Sequence, residues 1–386
     1  MPVRAIVTPE VLKWGRESAG LALDAAARRV PVSVDRLEDW EAGTAQPTIN
    51  QLRKLADIYR RPLSVFFLAD RPPTVDEDPH DFRQLPGRPP GEVSPALRFQ
   101  LRLARERRKI VAELLRELDQ APPAFGIVAT LNDDPEALGA RLRGRLGITL
   151  AAQQRWRQPY DALNGWRALI EAAGVLVFQA SVEMEEMRGF SLADDPLPVI
   201  VTNTKDAPNG RVFTMLHELC HVTLRRSGVC EPEEDRARPP EEQRVEVFCN
   251  QVAGAALIPR DDLLADEEVT RHRGAAWDDE QLTLIARRFA VSKFVVLRRL
   301  LIAGRTSQAF YRAKHNEWLR AARAADNEAS GGIVTPDRRA VSEAGKTFIR
   351  LVLQSYYADR ITLNDVSKYL RVRLKHLPKI ERAVEV

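Results

Sequence analysis

In "RVFTMLHELCHVTL", residues 211–224, His217 and His221 stand four apart with Glu218 beside the first. Residues four apart share one face of an α-helix, so both imidazoles can aim at a single ion. Glu218 lies one position round, within reach of a water held by that ion. An H-E-x-x-H helix works this way: two nitrogen ligands and a general base. With 6 histidines and 54 acidic residues in 386, about 0.01 such match is expected by chance. The ordinary alternative is a surface helix carrying two solvated histidines. Phe213, Met215, Leu216, Leu219, Val222 and Leu224 make this helix apolar nearly all round, which predicts burial instead. A buried imidazole with no partner would be costly.

A catalytic zinc keeps three protein ligands and one open position, so a third ligand must come from elsewhere. His272, in the polar stretch "TRHRG", is one candidate. Glu242, Glu246 and Asn250 share a stripe of the predicted helix "EEQRVEVFCNQVAGAALIP", which Pro259 ends. Glu246 is bracketed by Val245, Val247 and Phe248, which turns it inward; the alternative is a solvated face shared with Arg244. Two imidazoles and a carboxylate suit zinc, with Mn²⁺ or Fe²⁺ as other occupants.

The elements that must position these groups are legible upstream. "LNGWRALIEAAG" reads as a helix ending at Gly174, and "VLVFQAS" and "LPVIVTN" as β-branched strands. "APNG" is a turn leading into the histidine helix. The strand "VIVTN" is expected to be an edge on which an extended substrate could pair.

"GRVFTMLHELCHVTL", followed 25 residues after His221 by "EVFCNQVAGAALIP", resembles the ImmA/IrrE family of metallo-endopeptidases, as do "MRGFSL" and "LPVIVTN" before it. The similarity covers roughly residues 160–260. It implies His217, His221 and Glu246 as metal ligands, Glu218 as catalytic base, and a zincin-like α+β core. It also implies a substrate class, a helix-turn-helix transcriptional repressor cut in response to stress or mobile-element signals. Cys220 and Cys249 depart from the family, which carries small residues there. They are expected to be packing groups at a close helix crossing, or else a redox pair or a thiolate ligand.

"GLALDAAARRVPVSVDRLEDWEAGTAQPTINQLRKLA" resembles the Cro/repressor-type (XRE) helix-turn-helix, with Ala27 at the helix contact, Val32, Leu37 and Trp40 in the core, and Gly43 as terminator. Arg28, Arg29 and Arg36 are candidate contacts to double-stranded DNA. The expected reading helix, 33–42, nevertheless carries Asp35, Glu38, Asp39 and Glu41 against Arg36, which is unfavourable beside phosphates. A protein-docking or dimerising bundle is the alternative. "LIARRFAVSKFVVLRRLLIAG" resembles a second, basic helix-turn-helix, with Ala286, Val291 and Leu297 inside and Arg287, Arg288, Lys293, Arg298 and Arg299 outside. The basic helix 98–109 reads as a solvated face.

The whole is expected to be mainly α with a small β-sheet. A five-helix bundle occupies 1–70, a linker and basic helix 71–120, and the metallopeptidase core 121–265. A second helix-turn-helix-like segment takes 266–305, and a helical segment without a readable motif takes 306–386. Hydrophobic content of 44% and a net charge of +4 are those of a globular protein, with nucleic-acid contact permitted. Three cysteines without framework spacing, no apolar leader and no membrane-length apolar run predict a cytoplasmic protein. The expected partners are a protein substrate, DNA and a second copy in a homodimer. The competing function is a DNA-binding regulator or toxin–antitoxin-type component whose metal domain binds or senses without cutting.

Overall fold

A computed structural model describes residues 3–72, 94–194, 196–230, 239–328 and 334–384. The chain divides into two compact units, Met1–Leu103 and Ala104–Val386. Most of the proline-rich segment expected to be a linker lies outside the described residues.

The first unit holds α1 (Pro9–Ser18), α2 (Leu23–Arg29), α3 (Val34–Ala42) and α4 (Ile49–Tyr59). The expected fifth helix is a 3-10 turn, Leu63–Phe67. Caps set the boundaries. Ser33 accepts from the Arg36 amide, Thr48 and Gln51 form a capping box, and Gly43 ends α3 with φ 80. Ala27, Leu37 and Trp40 are buried as the helix-turn-helix pattern requires, whereas Val32 is only half-buried. Glu41 turns inward, and its two oxygens accept from Arg16 Nε and an Arg16 terminal nitrogen, each at 2.8 Å. That pair joins α1 to α3, so Glu41 and Arg16 do not belong to the DNA-facing charge. Arg28, Arg29 and Arg36 are exposed.

The boundary between the units falls inside α5 (Pro95–Glu117). The second unit then runs through α6 (Pro135–Leu146), α7 (Leu150–Gln153), α8 (Pro159–Ala172), β1 (Leu176–Ala180), β2 (Gly189–Leu192), β3 (Val199–Asn203), α9 (Pro208–Thr223), β4 (Gly228–Cys230) and α10 (Pro240–Leu257). The sheet order is β1-β3-β2-β4. β3 pairs parallel with β1 and antiparallel with β2, and β2 pairs antiparallel with β4. β3, residues 199–203, is therefore interior and not the expected edge. Its five residues, Val199, Ile200 and Val201 followed by the polar Thr202 and Asn203, are all buried, as in a strand flanked on both sides and covered on both faces. The edge beyond β2 is β4. Sequence reading missed β2 and β4, which are too short to show a period.

Helices α11 (Arg260–Ala265), α12 (Glu267–Arg271), α13 (Asp279–Arg288), α14 (Lys293–Ile302) and α15 (Gln308–Glu328) follow. One hydrophobic core joins residues from Phe125 to Trp318, including Leu282, Ile285, Val296 and Leu300 of the second helix-turn-helix. Arg299 is 1% exposed and contradicts its expected place outside. It donates to both oxygens of Glu136 (2.6 and 2.9 Å) and through Nε to the Ile258 carbonyl (2.9 Å), pinning α14 to the start of α6 and the end of α10. Arg107 of the basic helix is likewise buried, over the Phe178 and Phe348 rings, and burial pushes its guanidinium down to about 10. The chain closes with α16 (Pro336–Ala344), α17 (Lys346–Tyr357), α18 (Leu363–Leu370) and α19 (Leu377–Val384). Phe348 of α17 meets Phe178 of β1 edge-on at 5.7 Å, so these last helices pack on the sheet. No helix among the described residues is long and apolar enough to cross a membrane.

Candidate metal centre

α9 begins with Pro208 at its first turn and buries twelve of its sixteen residues, among them His217, Glu218 and His221. It packs between the sheet and α10. Close approach to β2 requires Gly189: a Cβ there would come within 2.5 Å of Thr214 Cγ2 and 2.8 Å of the Val201 carbonyl oxygen. α10 crosses behind α9 and carries Glu246, Cys249 and Asn250 on the facing side.

His217, His221 and Glu246 form a buried group whose ligand atoms all lie within 4.8 Å of one another. The spacing is tighter at its centre. His217 Nε2 lies 3.1 Å from His221 Nε2. Each Nε2 lies 3.3 Å from a different Glu246 oxygen. Tetrahedral zinc with bonds of about 2.0 Å has ligand–ligand edges of about 3.3 Å. The donor set therefore matches a single small divalent ion in kind and in spacing. Asn250 Oδ1 lies 3.0 Å from His217 Nδ1 and accepts its proton, which leaves Nε2 free to ligate. Burial opposes charge on Glu246, but the two imidazoles beside it outweigh that and hold the carboxyl well below the usual range. His272 does not join this group. Its ring stacks on Trp277 at 3.9 Å, and its Nδ1 faces Gln281. Glu242 does not join it either.

Glu218 is fully buried. Burial pushes its carboxyl up, and the two histidines and Ser191 pull against that. Ser191 Oγ donates to Glu218 Oε2 at 2.7 Å, while Oε1 has no hydrogen-bond partner. Ser191 sits on β2 and escaped the sequence reading: it is 27 residues from Glu218, and only the strand register brings the two together. Cys220 and Cys249 are buried and free, one on each of the two crossing helices. Burial, with Cys220 beside it, pushes the Cys249 thiol up.

A buried histidine pair and an inward glutamate from the next helix form a group that could hold a metal ion, with a second glutamate beside the first histidine. Residues 170–301 match the family described as the IrrE N-terminal-like domain, a peptidase family, and residues 10–65 match a helix-turn-helix domain. The chain thus joins a helix-turn-helix domain to a peptidase domain of the ImmA/IrrE type. The peptidase match takes in α13 and α14, in keeping with their place in the shared core. No curated protein matches the chain.

Proposed function

We propose that the chain is a zinc-dependent endopeptidase of the cytoplasm that cuts a helix-turn-helix transcriptional repressor. His217, His221 and Glu246 hold the ion and Glu218 serves as base. The reading rests above all on three donors from two buried helices converging at 3.1–3.3 Å. A zinc ion bound there would acidify a water towards a pKa of ~7 and polarise a peptide carbonyl. Glu218 takes the proton of the attacking water on Oε1 and delivers it to the leaving amine nitrogen. Ser191 holds the other oxygen, so the free one faces the reaction. Asn250 fixes the His217 tautomer. The outer edge of β4 offers backbone groups with which an extended substrate strand could pair.

The substrate class comes from the ImmA/IrrE resemblance, and the fused helix-turn-helix domain suits a role in docking a repressor or its operator. The two buried thiols serve as packing groups, and burial disfavours a thiolate at Cys249. The test uses the zinc-loaded full chain and the helix-turn-helix repressor encoded nearest to it. Wild type yields a discrete cut, and Glu218→Gln keeps zinc and yields none. If both proteins hold zinc and neither cuts, the chain is a regulator that senses metal without proteolysis.

A further inference from the structure

Away from the metal centre, a cavity of about 720 Å³ opens where α8, β1 and α9 meet α16 and α17. That volume suits a small molecule. Its lining is strongly cationic: Arg167, Arg211, Arg338, Lys346 and Arg350 face two carboxylates, Glu171 and Asp337. Glu171 is already engaged, with one oxygen on Arg167 Nε (3.0 Å) and the other accepting from the Thr347 hydroxyl (2.5 Å). Arg167 also donates to the Ser342 and Val177 carbonyls. Asp337 lies 3.9 Å from His376. Arg211, Arg338, Lys346 and Arg350 form no ion pair among the described residues.

Arg211 is the informative member. It is 4% exposed, and a guanidinium this buried ordinarily has a carboxylate partner. Here it donates to Gln179 Oε1, a neutral acceptor, and its Nε has no partner. Its guanidinium carbon lies 5.6 Å from the centroid of the Tyr160 ring, and Tyr160 is 60% exposed. A buried fork of donors, an exposed ammonium in the same lining and an exposed aromatic ring suit a flat molecule bearing an oxyanion.

We propose that this cavity binds a small phosphorylated ligand of nucleotide size, with its oxyanion held between Arg211 and Lys346 and its ring against Tyr160. The site joins α9, the helix of His217 and His221, to the closing helices, so those helices form one wall of a binding site. The proposal does not depend on the peptidase reading.

Thermal unfolding of the full chain is followed with AMP, inorganic phosphate or citrate, each against chloride at matched ionic strength. AMP raises the midpoint most, and phosphate raises it less. Lys346→Glu, at an exposed position, weakens AMP binding at least tenfold while leaving the midpoint without ligand unchanged. Tyr160→Ala removes the advantage of AMP over phosphate. His217→Ala binds AMP like wild type, which separates this site from the metal centre. Citrate matching AMP would make the ligand a carboxylate and overturn the phosphate assignment. The site itself fails if no oxyanion exceeds chloride, or if Lys346→Glu responds like wild type.

Discussion

Glu218 illustrates how a reactive group strains the structure that holds it. Burial raises its carboxyl pKa, so as pH rises the unfolded chain loses this proton before the folded one. The folded state then binds more protons, and stability falls as pH climbs from the ordinary glutamate range towards the raised value. In metal-free protein, Glu218→Gln removes that penalty. We expect its unfolding midpoint to exceed wild type by more at pH 8 than at pH 5; an equal margin at both would contradict the burial cost. Asn250 acts differently, through the His217 tautomer. Asn250→Ala should weaken zinc binding by roughly 10- to 100-fold, read by competition with a chelating dye. Cys220→Ala and Cys249→Ala should keep the zinc if the thiols only pack. At this scale the histidine spacing told most of the story. Glu246 needed its apolar neighbours to point it inward. Ser191 was invisible because its contact depends on strand register, which no local pattern encodes.

Among elements, the sequence marked helices by caps and prolines and found β1 and β3 by their β-branched runs. It erred where position within the sheet mattered. A short β-branched strand reads alike at an edge or in the middle, and the pairings put β3 in the middle. Arg299 misled for a related reason, since periodicity cannot tell a solvated arginine from one buried with a carboxylate. Its fork holds Glu136 and the Ile258 carbonyl, so it fastens α14 to the peptidase core. Arg299→Ala should destabilise the second unit by about 3 kcal/mol in urea unfolding, because it strands partners of a buried pair. Arg287→Ala, at an exposed site on α13, should change stability by less than ~0.5 kcal/mol. Similar losses for both would refute the fastening role.

For the whole molecule, the fusion of a helix-turn-helix domain to a peptidase domain was legible in the motifs, but its internal seams were not. The division expected near residue 265 runs through a continuous core, because α13 and α14 bury their apolar faces against the peptidase helices. DNA contact belongs to this scale as well. With Glu41 held by Arg16, the exposed face of α3 is less acidic than its composition suggests. Arg28 and Arg29, at the end of α2, remain exposed. Replacing both with alanine should weaken DNA binding evenly across sequences and lower the slope of log affinity against log salt by about 2. Unchanged binding would assign the bundle to protein docking. The most direct measurement of the central claim is zinc stoichiometry by elemental mass spectrometry after dialysis, on wild type, Glu218→Gln and Glu246→Gln. One zinc per chain in the first two, and a large loss in the third, is the predicted result. Stoichiometric zinc retained by Glu246→Gln, or none in wild type, would contradict it.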